Sequence, residues 1–233
     1  MAHLENKVAV VTGAGRGIGG RTAVRLAADG AAVAVIDIAE DATKDVVAEI
    51  EEAGGRAIGV GCDVSDEQSV LAAAERVQSE LGSIGVLVNN AGVMAPAESR
   101  TPAGWELQLA TNVLGHFLLT NLLLPRVTDR VVWLASMAHR FGRISLSDPN
   151  WERRRYERWQ AYGQTKLADL MLAYELQRRL TAAGSDVRSV AAHPGYSATN
   201  LQDRPAEAPP AETYRSLPAG TRIGAFALEG LIG

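Results

Sequence analysis

Six short apolar runs, each closing on glycine or a polar residue and each but the last followed by a stretch with helical character, constrain this chain more than any other feature. Residues 7–12 (Lys-Val-Ala-Val-Val-Thr) form the first. Such β-branched runs read as strands buried on both faces. Others cover residues 32–36, 56–61, 84–88, 130–135 and 187–192. Between them, residues 23–30 show helical spacing, 41–53 a polar helix ended by Gly54-Gly55, and 65–81 a helix opened by a Ser65/Gln68 capping box. Residues 101–124 read as one long apolar helix stopped by Pro125, and residues 161–183 as another helix. Strands alternating with helices require crossover connections. The expected fold is α/β, a Rossmann-type doubly wound parallel sheet of six or seven strands with helices on both faces. No linker or composition break divides residues 1–233, so a single domain is expected.

In open sheets of this kind ligands lie beyond the carboxyl ends of the strands. The polar and glycine features of this chain fall there. Thr12-Gly13-Ala14-Gly15-Arg16-Gly17-Ile18-Gly19 follows the first strand. Glycines at that point allow a tight turn and let backbone amides reach a pyrophosphate at the helix N-terminus. Gly15, Gly17 and Gly20 also fit G-x-G-x-x-G, but Gly13 directly follows the strand, which favours the T-G-x-x-x-G-x-G register. Asp37 ends the second strand, where an acid can bond the adenosine ribose hydroxyls of NAD and repel a 2′-phosphate. Arg16 pulls towards NADP, as a cation in the loop can reach that phosphate. NAD is the favoured cofactor and NADP the alternative. Asp63 and Val64 follow the third strand, and Asp63 can bond the adenine edge or open the next helix. Asn89-Asn90-Ala91-Gly92 follows the fourth strand. It is either turn chemistry or a small backbone against which an adenosine packs. Asn112 lies within an apolar helix, where its amide needs partners.

Ser136 closes the fifth strand, and Pro194-Gly195 follows the sixth. Tyr162 and Lys166 lie four apart at the start of a helix whose stripe is Leu167, Leu170, Met171 and Tyr174. Residues four apart share a helix face. A cation beside a phenol favours the phenolate, and a proton donor works best when its affinity for the proton matches the working pH. Alone, the pair is also what an exposed helix start carries; the strand-end features give it a chemical setting.

Together these residues resemble the short-chain dehydrogenase/reductase family. The resemblance spans about residues 5–201 and rests on Thr12-Gly13, Gly17-Ile18-Gly19, Asn89-Asn90-Ala91-Gly92, Asn112, Ser136, Tyr162, Lys166 and Pro194-Gly195 with Thr199, all in the family's order. His193, Ser136-Met137-Ala138-His139 and Tyr162-Gly-Gln-Thr-Lys-Leu-Ala look most like its retinol-dehydrogenase-like and protochlorophyllide-reductase-like branch. The resemblance implies that Tyr162 exchanges a proton with an alcohol or carbonyl. It implies that Ser136 bonds the same oxygen and that Lys166 bonds the nicotinamide ribose. Asn112 would hold a relay water, and Thr199 would bond the carboxamide. An NAD(H) oxidoreductase acting on an apolar alcohol or carbonyl is the expectation, with an NADP(H) carbonyl reductase as the alternative. A nucleotide-binding protein with lost or weak catalysis is the reading from another class.

Two departures stand against the family pattern. Residues 137–160 are longer than usual and carry Trp151, Trp159 and Arg153-Arg154-Arg155. They are either a lid or a solvated segment whose aromatics pack on the body. Residues 196–233 hold no defensible strand, at most a helix over 221–231, and read as a short or incomplete substrate-loop region. That weakens the expectation of a homotetramer and leaves a homodimer through the long apolar helix. The net charge of −4 argues against a nucleic-acid surface. The single cysteine excludes an internal disulfide and suits a cytoplasmic setting. No apolar run reaches the length of a membrane span, and no metal site is expected.

Overall fold

The strand Val8–Thr12 (β1) carries an apolar side chain at every position but its last, and all five residues are buried. Its alternating side chains feed two different layers. Val8 and Val10 pack with Val70, Leu119 and Leu172 on one side of the sheet. Ala9 and Val11 pack with Ala23, Val46 and Ile50 on the other. The computed structural model describes residues 4–195. The elements are β1, α1 (Gly17–Ala28), β2 (Ala32–Asp37), α2 (Lys44–Glu52), β3 (Arg56–Gly61), α3 (Glu67–Glu80), β4 (Ile84–Asn89), α4 (Gly115–Leu123), β5 (Arg130–Leu134), α5 (Arg158–Ala182) and β6 (Arg188–Ala192). The sheet is parallel throughout, in the order β3-β2-β1-β4-β5-β6. The chain therefore reverses direction across the sheet between β1 and β4, the crevice where such folds bind ligands. The doubly wound expectation holds, with six strands among the described residues.

Local chemistry moved several boundaries. α1 opens at Gly17, inside the glycine run. α3 is capped by Asp66, whose Oδ1 accepts the Ser69 N–H at 2.7 Å. The expected Ser65 cap is therefore wrong. The Ser65 N–H and hydroxyl both go to Asp63 Oδ1 instead. Nor does one helix fill residues 101–124. Gly104 takes a left-handed φ of +88°, which breaks a helix. Glu106 then accepts the N–H groups of Gln108 and Leu109 and opens the helix there. That helix begins with a π-helical turn, Leu109–Leu114, continues as α4 and ends in a 3₁₀ turn containing Pro125. α5 starts at Arg158, earlier than its apolar stripe suggests, because Glu157 accepts the Trp159 and Gln160 N–H groups.

The segment over residues 137–160 packs on the body. Trp151 is buried, with its ring edge-on to Tyr156 and the Arg154 guanidinium 3.5 Å above its centre. Asn150 Oδ1 accepts the Glu106 N–H at 2.7 Å, and Arg154 donates to Gln164 Oε1 at 2.7 Å. Arg154 thus serves packing and tethering. The expectations for residues 196–233, Thr199 among them, lie outside the described residues.

Candidate active site

At the switch point the glycine loop is pinned to the end of β4. Thr12 Oγ1 accepts the N–H groups of Asn90 (3.1 Å) and Ala91 (3.0 Å), and Asn90 Nδ2 donates to the Thr12 and Gly13 carbonyls at 2.7 and 3.1 Å. A Cβ at Gly13 would lie 2.8 Å from Ala91 Cα, and one at Gly19 would collide with Asn90 Nδ2. Gly13 also holds φ +61° and Gly17 φ +59°. The glycines are thus needed first for the protein's own close packing. Asn90 spends its side chain on this brace, and Ala91 and Gly92 continue the wall. The loop delivers α1 with no side chain capping it, so no capping side chain competes for its first N–H groups.

Asp37 bounds the same crevice. Its Oδ2 accepts the Gly15 N–H at 3.1 Å and its Oδ1 accepts the Ile38 N–H at 2.9 Å. Arg16 is exposed and forms no ion pair among the described residues. Asp63 uses Oδ1 on Ser65, while its Oδ2 is buried with no partner among the described residues. A buried acceptor left over beside the crevice is the complement of an amino donor. Val64 is buried against Gly115. Uncapped helix amides, an acid at the end of β2 and an orphan acceptor fit a dinucleotide.

The chemical half lies at the ends of β5 and β6. Tyr162 and Lys166 sit on the buried face of α5, with the Lys166 Nζ 5.9 Å from the Tyr162 ring centre. They do not form the exposed helix start that the pair alone allows. Lys166 Nζ donates to the Leu134 carbonyl at 2.8 Å and to Asp169 Oδ2 at 2.9 Å. Burial on its own would depress this ammonium; the Asp169 carboxylate and then the Tyr162 oxygen more than offset it, and the proton is held above the ordinary lysine range. Ser136 lies two residues beyond β5 and caps the 3₁₀ turn Met137–Phe141 by accepting the Ala138 N–H at 3.2 Å. That turn nests on α5 through two glycines. A Cβ on Gly142 would lie 2.6 Å from the Gly163 carbonyl carbon, and one on Gly163 would lie 2.8 Å from the Phe141 ring. This approach seats the turn that Ser136 caps on α5, and the two glycines are its one sign in the sequence. Pro194 and Gly195 follow β6, with Gly195 at φ +69°.

Asn112 lies in the π-helical turn and is fully buried. Its amide accepts the Val93 N–H and donates to the Val93 carbonyl, both at 2.9 Å, and to Thr165 Oγ1 at 3.1 Å. Both amide protons are therefore committed. The side chain clamps the loop after β4 to α5, and only an oxygen lone pair is left to meet a water. Sequence reasoning missed Asp169 and His116, which are fully buried behind Lys166. The offset of three between Lys166 and Asp169, and the place of His116 in the apolar helix, were the available signals.

Comparison with known proteins agrees with this fold. The family model for short chain dehydrogenase matches residues 7–209, and the chain belongs to the short-chain dehydrogenase/reductase family of oxidoreductases. Within it, the chain is similar to the retinol dehydrogenases. Retinol dehydrogenase 13 of Homo sapiens is 38% identical over 208 residues, covering 86% of this chain and 62% of that protein. The chain thus spans about three fifths of that relative's length. An uncharacterised protein from Mycobacterium paratuberculosis shares the fold with a TM-score of 0.75 at 47% identity, covering 86% of this chain and 72% of that one. A short chain dehydrogenase/reductase from Burkholderia phymatum in complex with NAD has a TM-score of 0.75 at 28% identity, covering 100% and 80% respectively. No helix among the described residues is long and apolar enough to cross a membrane.

Proposed function

We propose that the chain interconverts an apolar alcohol and its carbonyl, with NAD(H) as the redox partner. The observation that carries this reading is the buried Tyr162–Lys166 pair beside the Ser136 turn, at the carboxyl edge of the sheet. When bound, the dinucleotide supplies or takes the hydride. Tyr162 gives the carbonyl oxygen its proton in reduction and takes it back in oxidation. The Ser136 hydroxyl, whose acceptor side is turned to Ala138, keeps its proton for the same oxygen and stabilises the charge that develops there. Lys166 holds its one uncommitted N–H for the nicotinamide ribose.

An apolar substrate is supported by the rim of the site. Met137, Phe141, Leu146 and Trp159 are exposed apolar side chains on the segment flanking Ser136 and Tyr162. The Trp159 ring stands edge-on to Tyr162 with centres 6.4 Å apart. NAD is favoured by Asp37, held at the strand end by two backbone N–H groups. Arg16, exposed beside it, supports NADP as the second reading. Tyr162→Phe is expected to lower turnover of an apolar alcohol–ketone panel at least a hundredfold, from the usual size of acid–base contributions, with dinucleotide affinity kept. Retained turnover removes Tyr162 from its role. Tryptophan-fluorescence titration with NADH and NADPH decides the cofactor, and tighter NADPH binding overturns the Asp37 argument.

A further inference from the structure

Lys166 does not stand alone behind Tyr162. Asp169, one turn further along the same buried face, takes one of its N–H groups, and the Leu134 carbonyl takes another. Behind Asp169, on α4, lies His116 with its Nδ1 3.8 Å from Asp169 Oδ1. Both residues are fully buried. Asp169 Oδ1 and both His116 nitrogens have no hydrogen-bond partner among the described residues. Buried polar atoms left unpaired are costly, and a small side-chain rotation joins these two in one hydrogen bond.

We propose that Asp169, braced by His116, is a positioning residue for the proton-transfer pair: it fixes the Lys166 ammonium and cancels much of the positive charge that Tyr162 feels. This inference rests on the reading of Tyr162 as the acid–base group. Among the described residues, the ionisable groups facing Asp169 are Lys166 on its own helix and His116 on α4, and Lys166 additionally faces Tyr162. From β5 only the Leu134 carbonyl reaches the ammonium, and the π-helical turn contributes the neutral Asn112 amide through Thr165. The net charge beside the phenol is thus close to zero when Asp169 and Lys166 are both ionised and His116 is neutral. Replacing the carboxylate by an amide of the same shape leaves the ammonium an acceptor but removes the compensation. The full charge then favours the phenolate.

The test is the alkaline titration of Tyr162, read as phenolate ultraviolet absorbance by difference against Tyr162→Phe, in the full chain. Asp169→Asn is expected to bring the phenolate in about one pH unit lower than wild type, a tenfold change in its equilibrium. The double variant Lys166→Met/Asp169→Asn replaces a buried ion pair by a neutral pair, a change that cores tolerate. It is expected to titrate within about half a unit of wild type, since one neutral field replaces another. Where Asp169→Asn does not fold, the double variant still decides. A double variant displaced upward by a unit or more shows an uncompensated ammonium in wild type and overturns the proposal, as does an unmoved Asp169→Asn. In turnover assays the pH profile of Asp169→Asn shifts in the same direction, whereas a purely structural Asp169 lowers kcat at every pH alike. The titration needs no substrate, so absent turnover strikes the proposed function and leaves this inference standing or falling on the phenolate.

Discussion

Replacing Gly142 by alanine tests how the site is assembled, because nothing but space forbids it. Gly142 has φ −64° and ψ 145°, a conformation that any residue adopts. Its missing Cβ would lie 2.6 Å from the Gly163 carbonyl carbon, where ordinary contact begins at 3.4 Å. Both partners are backbone, so neither yields by changing a rotamer. The turn and α5 must part by most of an ångström, or the helix must bend at the residue that follows Tyr162. Overpacking of this kind costs about 1–3 kcal/mol. For a chain of this size that corresponds to a fall in Tm of about 2–12 °C. The same displacement shifts the turn that Ser136 caps relative to α5, and a misplacement of about 1 Å costs about a hundredfold in rate. The glycine loop is remote from this contact, so dinucleotide affinity should stay within about twofold, well under 1 kcal/mol. Differential scanning fluorimetry, dinucleotide titration and steady-state turnover measure the three quantities. Wild-type Tm together with wild-type kcat would refute the claim that backbone contact at Gly142 sets how the Ser136 turn seats on α5.

Asp66→Ala should cost about 1 kcal/mol through loss of the α3 cap, lowering Tm by about 2–4 °C and speeding hydrogen exchange of the Ser69 amide. Ser65→Ala should leave that amide protected, and equal deprotection by both changes refutes the assignment of the cap. Asp129 gives a pH signature. Burial raises its carboxyl, but the bonds from Lys7 and Arg130 more than offset this and hold it below the ordinary range. A depressed carboxyl stabilises the fold above its unfolded value of about 3.9 and loses that contribution as pH falls through the folded value. Asp129→Asn should therefore melt below wild type at pH 7, with the two Tm curves converging as pH falls through the folded value. A gap that stays constant with pH would assign the loss to packing instead.

The strands were legible because they are encoded twice. β-branched composition marks each run, and a strand-end glycine or polar residue marks its stop, so all six emerge within a residue or two of their observed bounds. Helix starts were less legible because they are decided by single side chains. Asp66 outcompetes Ser65 because its carboxylate reaches the Ser69 N–H while Ser65 is already committed to Asp63. The long-helix reading failed at Gly104 and Glu106, where a left-handed residue and a carboxylate cap outweigh apolar periodicity. The strand-end rule placed the glycine loop, Asp37, Asp63, Ser136 and Pro194-Gly195 on one edge without any knowledge of contacts. What periodicity could not report is how each polar atom is spent. Asn90 and Asn112 look alike as amides beside a crevice, yet both prove to be braces holding loops in place. Lys166 is the converse case. Its residue type and spacing mark it as chemical, but its field is set by Asp169 and His116, which enter through tertiary packing of α4 on α5. The pair of phenol and ammonium is therefore incomplete as a description of the site, and the charge that matters to Tyr162 is that of three residues rather than one.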